Sequence, residues 1–189
     1  MTTLVLIRHG QTDWNLEGRW QGQADPPLND TGREQARRVA EYQSQFGFAA
    51  LYSSDLRRAK ETAQIIGAAM RLDVIPDLRL REINLGRWQG TLTDDIQAQY
   101  PDEFRRWHES PPAAHPPDGE DIPALAVRVL EAINEMIVRH PKQRIGVVAH
   151  ETPIAVVLCR SADMELEHLR DMILDNGAWS KVVLEGALK

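Results

Sequence analysis

The chain has a single cysteine, Cys159, in 189 residues, so no internal disulfide can staple it. Cys159 sits beside Val156, Val157 and Leu158, a setting that suits a small buried apolar residue better than a reactive thiol. No stretch approaches the roughly 20 apolar residues of a membrane span. A secretory signal would need a cationic segment ahead of an apolar one; here Met1-Thr2-Thr3 carries no such charge, and Arg8 and His9 break the apolar run that follows. Positive charge is in deficit: 22 Lys and Arg against 28 Asp and Glu give a formal net charge of −6, with no basic tail. A nucleic-acid role therefore has no electrostatic support. The chain also lacks internal repeats, low-complexity tracts and a P-loop, and His150-Glu151-Thr152-Pro153-Ile154 lacks the second His of a zinc-binding H-E-x-x-H. These absences leave a cytoplasmic globular domain that would need a local cluster of Arg and His to bind an anion.

What is present is ordinary in amount: 42% hydrophobic and 26% charged residues, enough for one well-cored domain spanning residues 1–189. Leu4 to Ile7 and Ile145 to Ala149 are continuous apolar runs of the kind buried on both faces of a sheet. Phe48 to Tyr52, Leu72 to Ile75 and Trp179 to Leu184 read as further strands. A capping box at Thr31 and Glu34 is expected to open one helix. Others are expected over Leu56 to Met70, Ile122 to Ile137 and Pro153 to Arg160. Residues 79–121 hold two short helical pieces and a Pro-rich loop, an insertion expected to lie over something. Strands alternating with helices predict a three-layer α/β/α sandwich with a mostly parallel central sheet.

In such sheets, ligands bind beyond the carboxyl ends of the strands. Three expected strands end in residues suited to phosphate: Arg8-His9-Gly10, Ser53-Ser54-Asp55-Leu56-Arg57-Arg58, and His150. A neutral imidazole can attack phosphorus if its other nitrogen is held by a hydrogen bond. Arginine forks match phosphate oxygens and stay charged. A second histidine, if protonated, adds a donor, and a carboxylic acid of raised pKa must protonate the leaving alkoxide. Glu82, in the irregular segment before Gly86-Arg87-Trp88, is the candidate acid.

Leu6-Ile7-Arg8-His9-Gly10-Gln11-Thr12-Asp13-Trp14-Asn15 resembles the signature of the histidine phosphatase superfamily, in its phosphoglycerate-mutase-like branch. Gln21-Gly22, Asp25-Pro26-Pro27-Leu28, Ser53 to Ala59, Leu80-Arg81-Glu82 and Val147-Val148-Ala149-His150 extend the likeness along the whole chain. The resemblance implies a phosphoglycerate-mutase-like fold, a metal-independent reaction and no cofactor. It makes His9 the phosphorylated nucleophile, His150 the second pocket histidine, Arg8 and Arg58 the phosphate clamps and Glu82 the proton donor. Asn15, Gln21 and Gly22 would line the phosphate and substrate side. One departure stands out: where the family commonly has Gly after the second histidine, this chain has Glu151, a carboxylate beside an anion site. It is expected to point to solvent; the alternative is that it hydrogen-bonds or supplies a proton, as acidic residues after the second histidine do in the acid-phosphatase branch.

The implied reaction is hydrolysis of a small phosphorylated metabolite. The alternatives are a cofactor-dependent phosphoglycerate mutase, which must exclude water, and a non-catalytic phospho-ligand module, which would lack His9 or the acid. Tyr100 to Trp107 and Asp175 to Ser180 resemble the metal-independent phosphoserine phosphatases, and Arg105 or Arg106 would then bind a substrate carboxylate. A homodimer fits the resemblance, but no surface in the sequence marks one.

Overall fold

The apolar runs assemble first. A computed structural model describes all residues from Met1 to Lys189, and at its centre lie β1 (Thr2–Arg8) and β4 (Arg144–Ala149). They pair in parallel, with Leu4 opposite Ile145 and Arg8 opposite Ala149. Beyond β4 come β2 (Ala50–Ser53) and the short edge strand β3 (Val74–Pro76), both parallel. On the other side β5 (Trp179–Leu184) runs antiparallel to β1. The sheet order is thus β3-β2-β4-β1-β5.

Side chains alternate across this sheet, as the pleat requires. Leu4, Leu6, Tyr52, Ile145 and Val147 face one core, shared with α6 (Ile122–Arg139) and α7 (Glu151–Ser161). Val5, Ile7, Leu51 and Val148 face the other, shared with α2 (Asp30–Ser44) and α3 (Arg57–Met70). Helices on both faces make the expected three layers, and each fully buried Leu or Ile contributes about 1.5–3 kcal/mol. The remaining helices are α1 (Asp13–Glu17), α4 (Thr93–Gln99) and α5 (Pro101–Glu109). No helix is long and apolar enough to cross a membrane.

Several boundaries differ from expectation, and β3 starts at Val74 and takes in Pro76 instead of running from Leu72 to Ile75. Helix α2 begins at Asp30, capped by Asn29, whose side chain accepts the Gly32 N–H at 2.9 Å. The box expected at Thr31 and Glu34 does not form. Asn is the stronger cap, and Glu34 pairs instead with Arg37 and Arg38 along the helix. Strand β2 starts at Ala50; Phe48 is buried without joining the ladder. Helix α7 starts two residues before Pro153, since a proline in the first turn sacrifices no intrahelical bond.

Candidate active site

The parallel pairing of β1 and β4 places the residues that follow them side by side. His9 and His150 have ring centroids 5.1 Å apart. His9 is tied down on every side. Its carbonyl accepts the Gly177 N–H at 3.1 Å and the Asn176 side chain at 3.2 Å. The next residue's N–H donates to Thr62 Oγ1 at 3.1 Å, linking the turn to α3. The N-terminus of α2 packs so closely on this turn that a Cβ on Gly10 would lie 2.3 Å from the Gly32 carbonyl oxygen. Only glycine fits there.

The His9 tautomer follows from two partners that can each play one role. Nδ1 lies 2.7 Å from the Gly10 carbonyl oxygen, which can only accept, so Nδ1 carries the proton. Arg58 Nε–H, which can only donate, reaches His9 Nε2 at 3.2 Å, so Nε2 presents its lone pair. Burial, and then the positive charge of Arg58, push the His9 pKa well below its ordinary value. A neutral imidazole with Nε2 free of its proton is the form that can attack phosphorus.

Arg58 is held by two carbonyls: Nη2 donates to Gly22 at 2.7 Å and Nη1 to Ala24 at 2.8 Å. Gly22 has φ +52°, a left-handed geometry that turns its carbonyl to this task. Burial lowers the Arg58 pKa to about 10, so the guanidinium stays charged at neutral pH. Arg8, at the end of β1, donates through Nη1 to the Leu174 carbonyl at 2.5 Å and meets Glu151 Oε2 through Nη2 at 2.6 Å.

His150 caps the start of α7 and is wholly buried. Its Nε2 lies 2.8 Å from Ser54 Oγ, which itself accepts the Leu56 N–H at 3.3 Å. The other ring nitrogen, Nδ1, is buried without a partner. Burial, followed by Arg58 and His9, holds its pKa well below the usual range. The sequence reading asked for protonation before this histidine could donate. In this environment the neutral ring already has a donor.

Glu82 is buried, with Oε1 accepting the Ile83 N–H at 2.9 Å and Oε2 facing the Thr152 N–H at 3.5 Å. Burial and then the negative charge of Glu151 raise its pKa. The loop that carries it is clasped by Arg128 of α6, which donates to the carbonyls of Arg79, Arg81 and Glu82 at 2.7, 2.8 and 3.1 Å. Arg128 also donates two hydrogen bonds to the Glu120 carboxylate, from Nε to Oε1 at 2.7 Å and from Nη2 to Oε2 at 2.8 Å.

His9, Arg8, Arg58, Glu82, Asn15, Gln21, Gly22 and Glu151 all line one cavity of about 400 Å³, with His150 enclosed beside His9. Asn15 Oδ1 accepts from both the N–H and Oγ1 of Thr12, at 3.0 Å each, which fixes its amide at the mouth. Gln21 is buried with Oε1 unpartnered. Glu151 does not point away to solvent; it grips Arg8. Arg105 and Arg106 are not brought to the cavity. Each side chain is 63% exposed and pairs along α5, with Asp102 at 2.9 Å and Glu103 at 3.8 Å. Their helix turns its apolar residue Trp107 inward, and that orientation sends the two arginines out.

Sequence reasoning missed Ser54 as the partner of His150, Arg128 as the clasp of the Glu82 loop, and Arg170 at the cavity rim. Ser54 lies inside a motif that was noticed, whereas Arg170 sits in a short 3-10 turn (Leu166–Met172) with no periodic signal. No group of three or more His, Cys, Asp or Glu side chains is arranged to hold a metal ion.

Comparison with known proteins follows the same lines. A family model described as the histidine phosphatase superfamily (branch 1) matches residues 4–188. Phosphoserine phosphatase 1 of Hydrogenobacter thermophilus is 35% identical over 185 residues, covering 98% of this chain and 88% of that protein. Among solved structures, Bacillus stearothermophilus YhfR is similar at 33% identity and a TM-score of 0.94, over 100% of this chain and 94% of that one. A mycobacterial glucosyl-3-phosphoglycerate phosphatase in complex with VO3 is similar at 33% identity and a TM-score of 0.88, over 95% and 90%.

Proposed function

The chain belongs to the histidine phosphatase superfamily, branch 1, and from that premise we propose that it is a metal-independent phosphomonoesterase working through phosphorylated His9. The observation that carries this reading is the His9 ring, whose proton is locked on Nδ1 while Nε2 lines a cavity between two arginines. In the first step Nε2 attacks phosphorus, the N–P bond forms and the ester P–O bond breaks. Arg8, Arg58 and His150 take the charge on the equatorial oxygens. Glu82 gives its proton to the leaving alkoxide. In the second step the Glu82 carboxylate takes a proton from water, which attacks phosphorus; the N–P bond breaks and inorganic phosphate leaves with His9 restored.

The domain reading fits this scheme. We treat residues 1–189 as one domain in which segment 79–121 covers the site, because Glu82, Ile83, Leu85, Thr93 and Trp107 from that segment all face the cavity. Relatives over nearly the whole chain are named phosphatases and others probable phosphoglycerate mutases; hydrolysis is preferred because Glu151, lining the cavity with its side chain 38% exposed, leaves a side open to the water that a mutase must exclude. The testing experiment is phosphate release from p-nitrophenyl phosphate, phosphoserine, 3-phosphoglycerate and sugar phosphates with and without EDTA. Release unchanged by the chelator is expected; loss of release with EDTA, restored by added metal, would overturn the metal-independent mechanism.

The rim of the cavity suits a small phosphorylated metabolite with a second anionic group. Arg170 lines it, and its guanidinium is engaged through Nη2 with the Trp107 carbonyl at 3.1 Å rather than with a carboxylate. Arg170→Ala is expected to raise KM for phosphoserine roughly three- to tenfold, in keeping with a partly exposed ion pair. KM for p-nitrophenyl phosphate, which has no second anion, should stay unchanged. Equal effects on both substrates would remove Arg170 from substrate recognition.

A further inference from the structure

Glu151 is the one acidic side chain in the cavity that pairs directly with a phosphate-clamping arginine. It occupies the first turn of α7, immediately after His150. Its Oε2 lies 2.6 Å from Arg8 Nη2, while Arg8 Nη1 is spent on the Leu174 carbonyl and Arg8 Nε is buried with no partner. The Arg8 side chain is 11% exposed and that of Glu151 38%. The carboxylate thus reaches inward from the wetter side of the cavity to an arginine with little other access.

We propose that Glu151 competes with the phosphoryl group for Arg8, so that it weakens retention of inorganic phosphate and speeds its release. This rests on the reading of the cavity as a phosphatase site. A carboxylate and a phosphoryl group both accept from the donor fork of one guanidinium. When product phosphate sits between Arg8 and Arg58, the Glu151 carboxylate lies beside a like charge, and the repulsion is relieved either by phosphate leaving or by Glu151 swinging out to solvent. Its partial exposure makes that swing feasible without unpacking α7. Substrate pays the same penalty on arrival, so Glu151 trades affinity for turnover. The other charged groups facing this pair are Arg58 from α3 and Glu82 from the loop before α4; Arg58 attracts the anion and Glu82 does not reach Arg8 by any hydrogen bond or ion pair.

The test is calorimetric titration of the whole protein with inorganic phosphate, for wild type, Glu151→Gln and Glu151→Asp, beside steady-state turnover of p-nitrophenyl phosphate. Glu151→Gln is expected to bind phosphate about tenfold more tightly, the scale of one like-charge contact relieved at a partly exposed site. KM and product inhibition should tighten in parallel, while Glu151→Asp, which keeps the charge but draws it one methylene back from Arg8, should fall between wild type and Glu151→Gln. Unchanged or weaker phosphate binding in Glu151→Gln, with melting temperature preserved, would overturn the proposal. Titration does not require turnover, so a protein that binds phosphate in this pattern but hydrolyses nothing would sink the phosphatase reading and leave the competition standing.

Discussion

His9→Asn should lower turnover by roughly 10⁴-fold or more, because removing a nucleophile abolishes a covalent route instead of weakening it. The effect is separable from misfolding. Asparagine keeps a polar group in a position where His9 Nδ1 bonds to the Gly10 carbonyl, and phosphate binding to Arg8 and Arg58 should persist in the variant. Acid- and alkali-quenched reactions with labelled substrate give the direct readout. A phosphoramidate link survives alkali and is lost in acid, so wild type should retain label on the protein only after the alkaline quench, and the variant after neither. Label that persists in His9→Asn would place the covalent step on another residue. The pH profile carries the same message. The active form is the neutral ring, and its pKa lies below 6.5, so kcat/KM should hold as pH falls through 6.5 and drop only at more acid values.

The second large effect belongs to Glu82 and depends on the leaving group. Glu82→Gln cannot donate a proton, so kcat for phosphoserine, whose alkoxide leaves poorly, should fall roughly 10²- to 10⁴-fold. For p-nitrophenyl phosphate, whose phenolate leaves without help, the fall in formation of phosphohistidine should be small. Equal losses in the rate of phosphohistidine formation on the two substrates would make Glu82 a structural residue. The acid form does the work, and burial and Glu151 raise its pKa above 4.5. Activity on phosphoserine should therefore be present below that raised value and decline as pH climbs through it. Together with the depressed His9, this gives a bell whose acid limb comes from the nucleophile and whose alkaline limb comes from the donor.

The parts of this molecule that were readable in sequence are those fixed by local chemistry. Leu4 to Ile7 and Ile145 to Ala149 announce buried strands because burial on both faces leaves no polar alternation. Once both are strands of one sheet, His9 and His150 fall at the same edge. The orientation of Arg105 and Arg106 was not readable, because it depends on which face of α5 meets Trp20 and Trp88, and Trp107 is the residue that does. That packing is tertiary, and two adjacent arginines look alike whether they face a cavity or water. Arg128 escaped for a related reason. On a helix with a clear apolar stripe it reads as a solvated charge, yet three backbone carbonyls more than 45 residues earlier depend on it. Even Asn29 as a helix cap, a local feature, was masked by the competing Thr31 signal.

The sheet order has a bearing on how the chain is born. β1 lies between β4 and β5, so Leu4 finds its neighbours at Ile145 and Val182. The Arg8 and His9 carbonyls are held by Gly177, and the Arg8 guanidinium by Leu174. During synthesis the strand that bears the nucleophile must wait, unpaired and apolar, until β4 and β5 have left the ribosome. The nucleophile's strand is thus made first and seated last, an apolar edge left open until β4 and β5 arrive.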